Sequence, residues 1–193
     1  MNPIFQHERY LLKRQVLALT GKLRIYDPLD NLVLFSEQKM FKLREDIRVY
    51  ADDQKTQEVL SIKARQVIDI SAAYDVVDSS SDQKVGALRR KGLRSLLRDE
   101  WEVLDQGDQI VGLLFEDSIG LALLRRLLLG SLLPQNYDLT MGMDRVADLK
   151  QRFNLFAYNL DIDFSMDNAR KLDHRLGIAA AILLAVVEGK QSN

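Results

Sequence analysis

A run of basic residues gives this sequence its clearest chemical signal. Residues 84–98 contain six Lys or Arg side chains and no Asp or Glu. Guanidinium groups bind phosphate oxygens through paired hydrogen bonds, and each cation near an anionic membrane contributes about 1 kcal/mol. We therefore predict a site for a phosphate group or an anionic lipid head group, formed by Arg89, Arg90, Lys91, Arg94 and Arg98.

The alternative is that the same stretch is an ordinary solvated surface. Asp99 and Glu100 follow it directly and can pair with its last cations. Basic runs of this kind are common and weakly specific for function. Arg125 and Arg126 would extend the site if the fold brings them close to it.

Three aspartates before the C-terminal apolar stretch form a second candidate site. Asp161, Asp163 and Asp167, together with Ser165, place oxygen ligands at alternate positions, as at the start of a calcium-binding loop. An EF-hand loop requires Gly at its sixth position and Glu at its twelfth, and this sequence has Met166 and Leu172 there. The alternative, which we favour, is a strand with outward-facing Asp side chains, followed by Asp167 or Asp173 as a helix N-cap.

No catalytic arrangement is recognisable in the sequence. The absence of cysteine excludes a thiolate nucleophile, a disulfide and a Cys-ligated metal. His7 and His174 have no partners at metal-ligand spacing. Phosphate-binding glycine loops, dinucleotide-binding motifs and serine-hydrolase motifs are also missing. We expect a non-enzymatic protein that needs no cofactor.

Composition narrows the classes of partner. The 27 Lys and Arg residues nearly balance the 28 Asp and Glu residues, so the net charge does not indicate nucleic-acid binding. Residues 1–19 are charged and lack the apolar core of a signal peptide. We expect one domain over residues 1–193, located in the cytoplasm or peripherally on a membrane.

One local pattern, repeated five times, predicts the framework that positions these residues. A β-rich run leads into a polar turn carrying Asp, and a second β-rich run follows. The five turns are predicted at residues 27–31, 51–55, 78–82, 105–108 and 141–144. With further strands at 10–19 and 156–165, the count approaches a dozen, which predicts a barrel or sandwich built mainly from hairpins.

The C-terminal stretch, residues 172–190, predicts a buried helix. Residues 176–187 have no polar side chain, so the helix has no face suited to water. Twelve residues cover roughly 18 Å as a helix, which is too short for a membrane core that requires about 20 apolar residues. We predict that this helix runs through the middle of the fold and does not span a membrane.

Other helical and aromatic positions complete the sequence-based expectations. The acidic start and glycine end of residues 116–130 predict a helix, and residues 91–100 predict a short helical link. The apolar residues 127–133 would cap the barrel or form a surface for a partner. We expect the aromatic residues of the strands to lie in the core or in cross-strand pairs, including Tyr26, Tyr50, Trp101 and Phe156.

Several of these features together resemble a known superfamily. Tyr10-Leu-Leu-Lys-Arg-Gln-Val16 is followed by Ile25-Tyr-Asp-Pro-Leu-Asp-Asn-Leu-Val33, then by many hairpins and a last strand leading into an apolar helix. The chain resembles the LURP-one-related and phospholipid-scramblase families of the tubby C-terminal-like superfamily. The resemblance covers nearly the whole chain. It implies a closed twelve-stranded antiparallel β-barrel, mainly β in class, around a central hydrophobic C-terminal helix.

The resemblance leaves three functions open. Tubby domains bind phosphoinositides through a basic surface, which implies a binding module for anionic phospholipids. Scramblases are associated with calcium-dependent lipid movement, although this chain lacks their cysteine cluster and their proline-rich N-terminus. The third possibility is a scaffold that binds a protein partner through residues 127–133. We expect neither a nucleic-acid partner nor a transmembrane span.

Overall fold

The computed structural model describes residues 2–15, 20–39, 46–65, 73–91, 100–117, 134–154 and 156–188. These residues form twelve strands in one closed antiparallel barrel, in which sequence neighbours pair and the last strand closes onto the first. The fold class predicted from the sequence is therefore confirmed. The strands are β1 Arg9–Gln15, β2 Thr20–Tyr26, β3 Leu32–Lys39, β4 Asp46–Tyr50, β5 Glu58–Ala64, β6 Ala73–Asp78, β7 Gln83–Arg90, β8 Glu100–Leu104, β9 Ile110–Glu116, β10 Asn136–Met141, β11 Asp144–Arg152 and β12 Ala157–Asp163.

Five turns join strands at one end of the barrel, where the repeated sequence pattern predicted them. Four of these turns begin with an Asp whose carboxylate accepts backbone N–H groups two to five residues later: Asp27, Asp52, Asp78 and Asp105. Each of the five turns also contains one residue with positive φ: Asp30, Lys55, Asp82, Asp108 and Gly142. Asp and Gly favour such turns through local chemistry, so the turns could be predicted without knowing the fold.

The helix α1, His174–Glu188, lies in the lumen of the barrel. It packs against β1 and β12 and also against β6 and β7. These two pairs of strands lie on opposite walls of a ring of twelve, so the helix must pass between them. Leu176 and residues 178–186 are at most 7% exposed. The central helix predicted from the all-apolar run is confirmed.

Close packing at the start of α1 depends on a glycine. A Cβ atom on Gly177 would lie 2.5 Å from Cε1 of Phe164, so only glycine leaves room for that ring. Phe164 in turn stacks on His174, with 4.3 Å between the ring centroids. The helix N-cap is Asp173, whose carboxylate accepts the backbone N–H of Arg175 at 3.0 Å.

Three sequence-based expectations need correction or lie outside the described residues. Glu116 is the last residue of β9, so no helix begins there; residues 118–133 are not described. Glu100 begins β8, and residues 92–99 of the predicted helical link are likewise not described. Phe156 is 71% exposed and precedes β12, so it is not a core residue. Strand alternation cannot place a residue that lies outside the strand.

Candidate binding surface

The two ends of the barrel differ in construction. We call the end with the five tight turns the turn end. The opposite rim, where odd-numbered strands end and even-numbered strands begin, is the loop end. The helix α1 starts at the turn end, because Arg175 bonds to Asp78, and finishes at the loop end, because Arg14 bonds to Ala185.

The described residues of the predicted basic site, Arg89, Arg90 and Lys91, lie at the loop end but do not all face one way. Side chains alternate between the two faces of a strand. Arg89 therefore points outward and bonds Glu102 at 2.6 Å. Arg90 pairs in register with the buried Trp101, on the inward face. Lys91 returns to the outer face and bonds Glu100 at 2.5 Å.

The structure thus brings part of the predicted site together. Arg89 and Lys91 are neighbours on the outer rim, with exposed side-chain fractions of 40% and 25%. Each lies beside a carboxylate, as the alternative interpretation of a solvated surface supposed. Arg94, Arg98, Arg125 and Arg126 lie outside the described residues. Ligand binding by the predicted basic residues stays a prediction.

Lys84, the first cation of the same run, lies at the other end of the barrel. Its Nζ atom bonds Asp108 at 2.6 Å and lies 3.3 Å from Asp75. Arg65 contacts the same two aspartates. Hydrogen bonds from Lys84 and Arg65 lower the pKa of Asp108. Lys84 and Arg89 belong to one basic run in the sequence, but they lie at opposite ends of β7.

The three aspartates of the predicted calcium site each have a protein partner. Arg152 bonds Asp161 at 2.5 and 2.6 Å. Asp163 accepts from Arg9 at 3.0 Å and from the backbone of Ser165 at 2.8 Å. Burial opposes ionisation of Asp163, but these hydrogen bonds and the charge of Arg9 lower its pKa below the ordinary value.

Asp167 is buried, and its carboxylate shapes the connection to the helix. It accepts the backbone N–H groups of Lys171 at 3.0 Å and Leu172 at 2.8 Å. Among the described residues, no three His, Cys, Asp or Glu side chains are grouped so that they could hold a metal ion. Calcium binding by Asp161, Asp163 and Asp167 therefore stays a prediction without a supporting geometry.

Two arginines that the sequence analysis did not single out fix the ends of the helix. The side chain of Arg175 is 18% exposed and bonds Asp173. It also bonds Asp78, the last residue of β6, at 2.5 Å. Arg14 points into the barrel and donates to the carbonyl oxygen of Ala185. Burial lowers the pKa of Arg14. Asp78 and Ala185 lie 97 and 171 residues from their arginines, so no local signal could have revealed these two contacts.

Exposed aromatic residues mark the one connection at the loop end that is largely described. Phe153 is 57% exposed and Phe156 is 71% exposed, between β11 and β12. The apolar residues 127–133, predicted as a partner surface, lie outside the described residues. Across the part of the chain that is described, no helix has the length and apolar character needed to cross a membrane.

Comparison with known proteins supplies the family. No curated protein matches the sequence. The model of the LURP-one-related family matches residues 32–185, from the third strand almost to the end of the central helix. This match covers most of the barrel and most of the chain. The barrel is also consistent with the tubby-like and scramblase-like superfamily that the sequence resembles. The chain therefore belongs to the LURP-one-related family.

Proposed function

We propose that residues 1–193 act as one non-enzymatic binding module, cytoplasmic and peripheral to a membrane, which recognises anionic phospholipid head groups or another phosphate-bearing ligand. The observation that carries this proposal is the filled lumen. Leu176 and residues 178–186 are at most 7% exposed, so the helix occupies the space that other barrels offer to a small substrate. A ligand must then bind at a rim or on the outer wall.

The loop end is the better rim for an anion. The strand β7 ends there with Arg89 and Arg90, Lys91 follows directly, and the next residues of the sequence include Arg94 and Arg98. The turn end instead carries Asp in each of its turns or directly beside it. We expect the Asp-rich turns to disfavour a phosphate and the cations at the end of β7 to favour one.

The ion pairs at the rim are compatible with binding. Arg89 and Lys91 are paired with Glu102 and Glu100, but their side chains remain partly exposed. Glu102 is only 12% exposed and keeps its partner, but a guanidinium has five N–H donors, so a phosphate can bind on the open side of Arg89 while Glu102 stays paired. Such binding at the solvent-exposed side should weaken at high salt.

Vesicle flotation tests the proposal. We expect the protein to float with vesicles containing phosphatidylserine or phosphoinositides at low salt, less at physiological salt, and not with phosphatidylcholine alone. The double variant Arg89→Gln and Lys91→Gln should bind about tenfold more weakly or worse, because each cation near an anionic membrane contributes about 1 kcal/mol.

A matched control removes the same charge from the turn end. Lys55 and Lys171 are each paired with one carboxylate, Glu37 and Asp144 respectively, and both side chains are more than 40% exposed. The double variant Lys55→Gln and Lys171→Gln should bind as the wild type does. Equal losses in both double variants would mean that only net charge matters, and absence of flotation at low salt would refute lipid recognition.

A further inference from the structure

We propose that the β11–β12 hairpin inserts Phe153 and Phe156 into the membrane interface, so that the loop end faces the lipid and the turn end faces water. This inference rests on the proposed function, and it takes the phosphate-bearing ligand to be a membrane lipid. It adds a hydrophobic contact that the basic residues alone do not supply. The hairpin is the segment between Arg152, the end of β11, and Ala157, the start of β12.

Two large aromatic side chains are exposed in the connection between β11 and β12. Phe153 and Phe156 lie three residues apart there and are 57% and 71% exposed. Scattered exposed apolar residues are normal in proteins, but two phenylalanines on one hairpin form a local apolar surface. Exposed apolar surface of this kind marks sites of contact with a membrane or another protein.

Hydrogen bonds hold the described residues between β11 and β12 in place. The carboxamide oxygen of Asn154 accepts the backbone N–H groups of Phe156 at 2.9 Å and Ala157 at 3.0 Å. Directly below, Arg152 pairs in register with Asn159, and Gln151 pairs with Leu160. Asn154 therefore fixes the backbone on which Phe156 is presented, and less conformational entropy is lost on binding.

The sequence around the two phenylalanines is positively charged. Residues 150–157 read Lys-Gln-Arg-Phe-Asn-Leu-Phe-Ala and contain two cations and no acid. The side chains of Lys150 and Arg152 are both 58% exposed while they pair with Asp148 and Asp161. Aromatic and basic residues together are the composition of segments that anchor proteins at membrane interfaces.

The turn end provides an internal comparison, because it also has exposed apolar side chains. Leu29, Ile110 and Met143 are 83%, 54% and 100% exposed. Each lies within two residues of at least one Asp in the sequence, whereas no Asp or Glu lies that close to Phe153 or Phe156. We therefore expect an anionic surface to favour the β11–β12 connection. Exposure alone therefore does not distinguish the two ends, whereas exposure without neighbouring acids does.

The basic residues at the end of β7 and the phenylalanines after β11 lie on the same rim, so one membrane surface can contact both. Arg90 ends β7 and Arg152 ends β11 at the same end of the barrel, four strands apart in the ring. Arg89 and Lys91 can thus contact head groups while Phe153 and Phe156 enter the interface. A membrane can engage both positions at once, which favours a lipid surface over a peptide bound at either position alone.

Site-directed fluorescence tests the orientation directly. The chain has no cysteine, so Phe156→Cys and Met143→Cys each create a single labelling site for an environment-sensitive dye. With vesicles of 70% phosphatidylcholine and 30% phosphatidylserine, we expect a blue shift and increased intensity from the dye at position 156. We expect no change from the dye at position 143, the fully exposed tip of the turn end.

Unlabelled variants measure the contribution of the aromatic rings. The double variant Phe153→Ser and Phe156→Ser should partition onto the same vesicles about tenfold more weakly or worse, with the salt dependence of the remaining binding unchanged. The double variant Leu29→Ser and Met143→Ser should partition as the wild type does. Circular dichroism should show the same fold for all these variants.

The outcomes separate this inference from the proposed function. If the protein floats with anionic vesicles but the dye at position 156 does not respond, lipid recognition stands and hairpin insertion is overturned. Equal responses at positions 156 and 143 would also overturn it. A response at position 156 that grows with protein concentration and needs no lipid would assign the hairpin to contact between copies. If no vesicle is bound, both proposals fail.

Discussion

The two ends of this barrel hold the same helix but are built from different chemistry. At the turn end, Asp side chains accept backbone N–H groups within their own turns, and Arg175 ties the start of the helix to Asp78. At the loop end, Arg14 donates a hydrogen bond to the carbonyl oxygen of Ala185. The strand β7 ends there in two arginines, and two phenylalanines between β11 and β12 are exposed. The carboxylates of the turn end bond backbone groups close in sequence, whereas the described part of the loop end combines cations with two exposed phenylalanines that have no Asp or Glu within two residues.

This difference suggests a division of roles within one fold. Buried or hydrogen-bonded carboxylates stabilise a structure only while they keep their partners, so the turn end suits stability. Partly exposed cations and aromatic rings contribute little to folding, but they can gain contacts with a surface that approaches the loop end. The central helix joins the two ends, and the variants below test this comparison from the largest expected effect to the smallest.

The largest effect should follow from a charge in the middle of the helix. Ala180 is 1% exposed and lies between the two ends. Ala180→Asp buries a carboxylate without a partner, and we expect a loss of at least about 4 kcal/mol in the free energy of unfolding. Because both ends depend on the helix, chemical denaturation and vesicle binding should both be affected.

An exposed position supplies the control for that variant. Asn168→Asp adds the same carboxylate in the exposed connection between β12 and α1, and it should change the free energy of unfolding by no more than about 0.5 kcal/mol. If Ala180→Asp unfolds at the same denaturant concentration as Asn168→Asp, the helix does not fill the lumen. The two ends would then not be connected by a buried helix.

A smaller but substantial effect should come from the tie at the turn end. The side chains of Asp78 and Arg175 are 10% and 18% exposed, and their closest atoms are 2.5 Å apart. Asp78→Asn leaves Arg175 with less charge compensation, and we expect a loss of about 3 kcal/mol at pH 7. The exposed pair of Lys171 and Asp144 is the control, and Lys171→Met should cost at most about 1 kcal/mol.

The contribution of Asp78 should depend on pH in a defined direction. Burial by itself raises the pKa of Asp78, but hydrogen bonds from Ser80 and the guanidinium of Arg175 outweigh it and lower the pKa. The stabilisation is therefore present above the unfolded-state pKa of about 3.9 and is lost as the pH falls through the lower folded-state pKa. Urea unfolding should show the wild type and Asp78→Asn converging in that window; a constant difference would assign the effect to packing.

The smallest of the three effects concerns close approach between strands near the turn end. A Cβ atom on Gly112 would lie 2.2 Å from the carbonyl oxygen of Thr140, which is backbone and cannot easily move. We expect Gly112→Ala to cost about 2 kcal/mol. Gly107→Ala is the matched control, because its Cβ atom would lie 3.4 Å from Asp105, an ordinary contact. Thermal unfolding of the two variants should differ, and equal midpoints would show that the strands can separate.

The sequence predicted those features that depend on neighbouring residues. The turns at Asp27, Asp52, Asp78 and Asp105 were recognisable because a carboxylate bonds backbone groups two to five residues away. The central helix was recognisable because twelve successive residues without a polar side chain can only be enclosed. Local hydrogen bonding and burial of apolar surface act at short range, so the pattern of residues is sufficient.

The candidate site was predicted less completely because it depends on which face each residue occupies. Arg89, Arg90 and Lys91 were treated as one cluster, yet alternation along β7 sends the middle residue inward and the outer two towards Glu102 and Glu100. Period-two alternation is a general rule and could have indicated this division. The identity of the paired carboxylates could not be predicted, because it depends on the register between β7 and β8.

Sequence by itself thus determined the kinds of element in this protein, namely hairpins with Asp-rich turns and one enclosed helix. Only the tertiary structure decided that Arg175 meets Asp78, that Arg14 meets Ala185, and that the exposed phenylalanines share a rim with the basic residues. Closure of β1 onto β12 joins residues more than 140 positions apart and completes the ring in which these contacts form. No local pattern encodes such pairings, because their geometry exists only once the ring is closed.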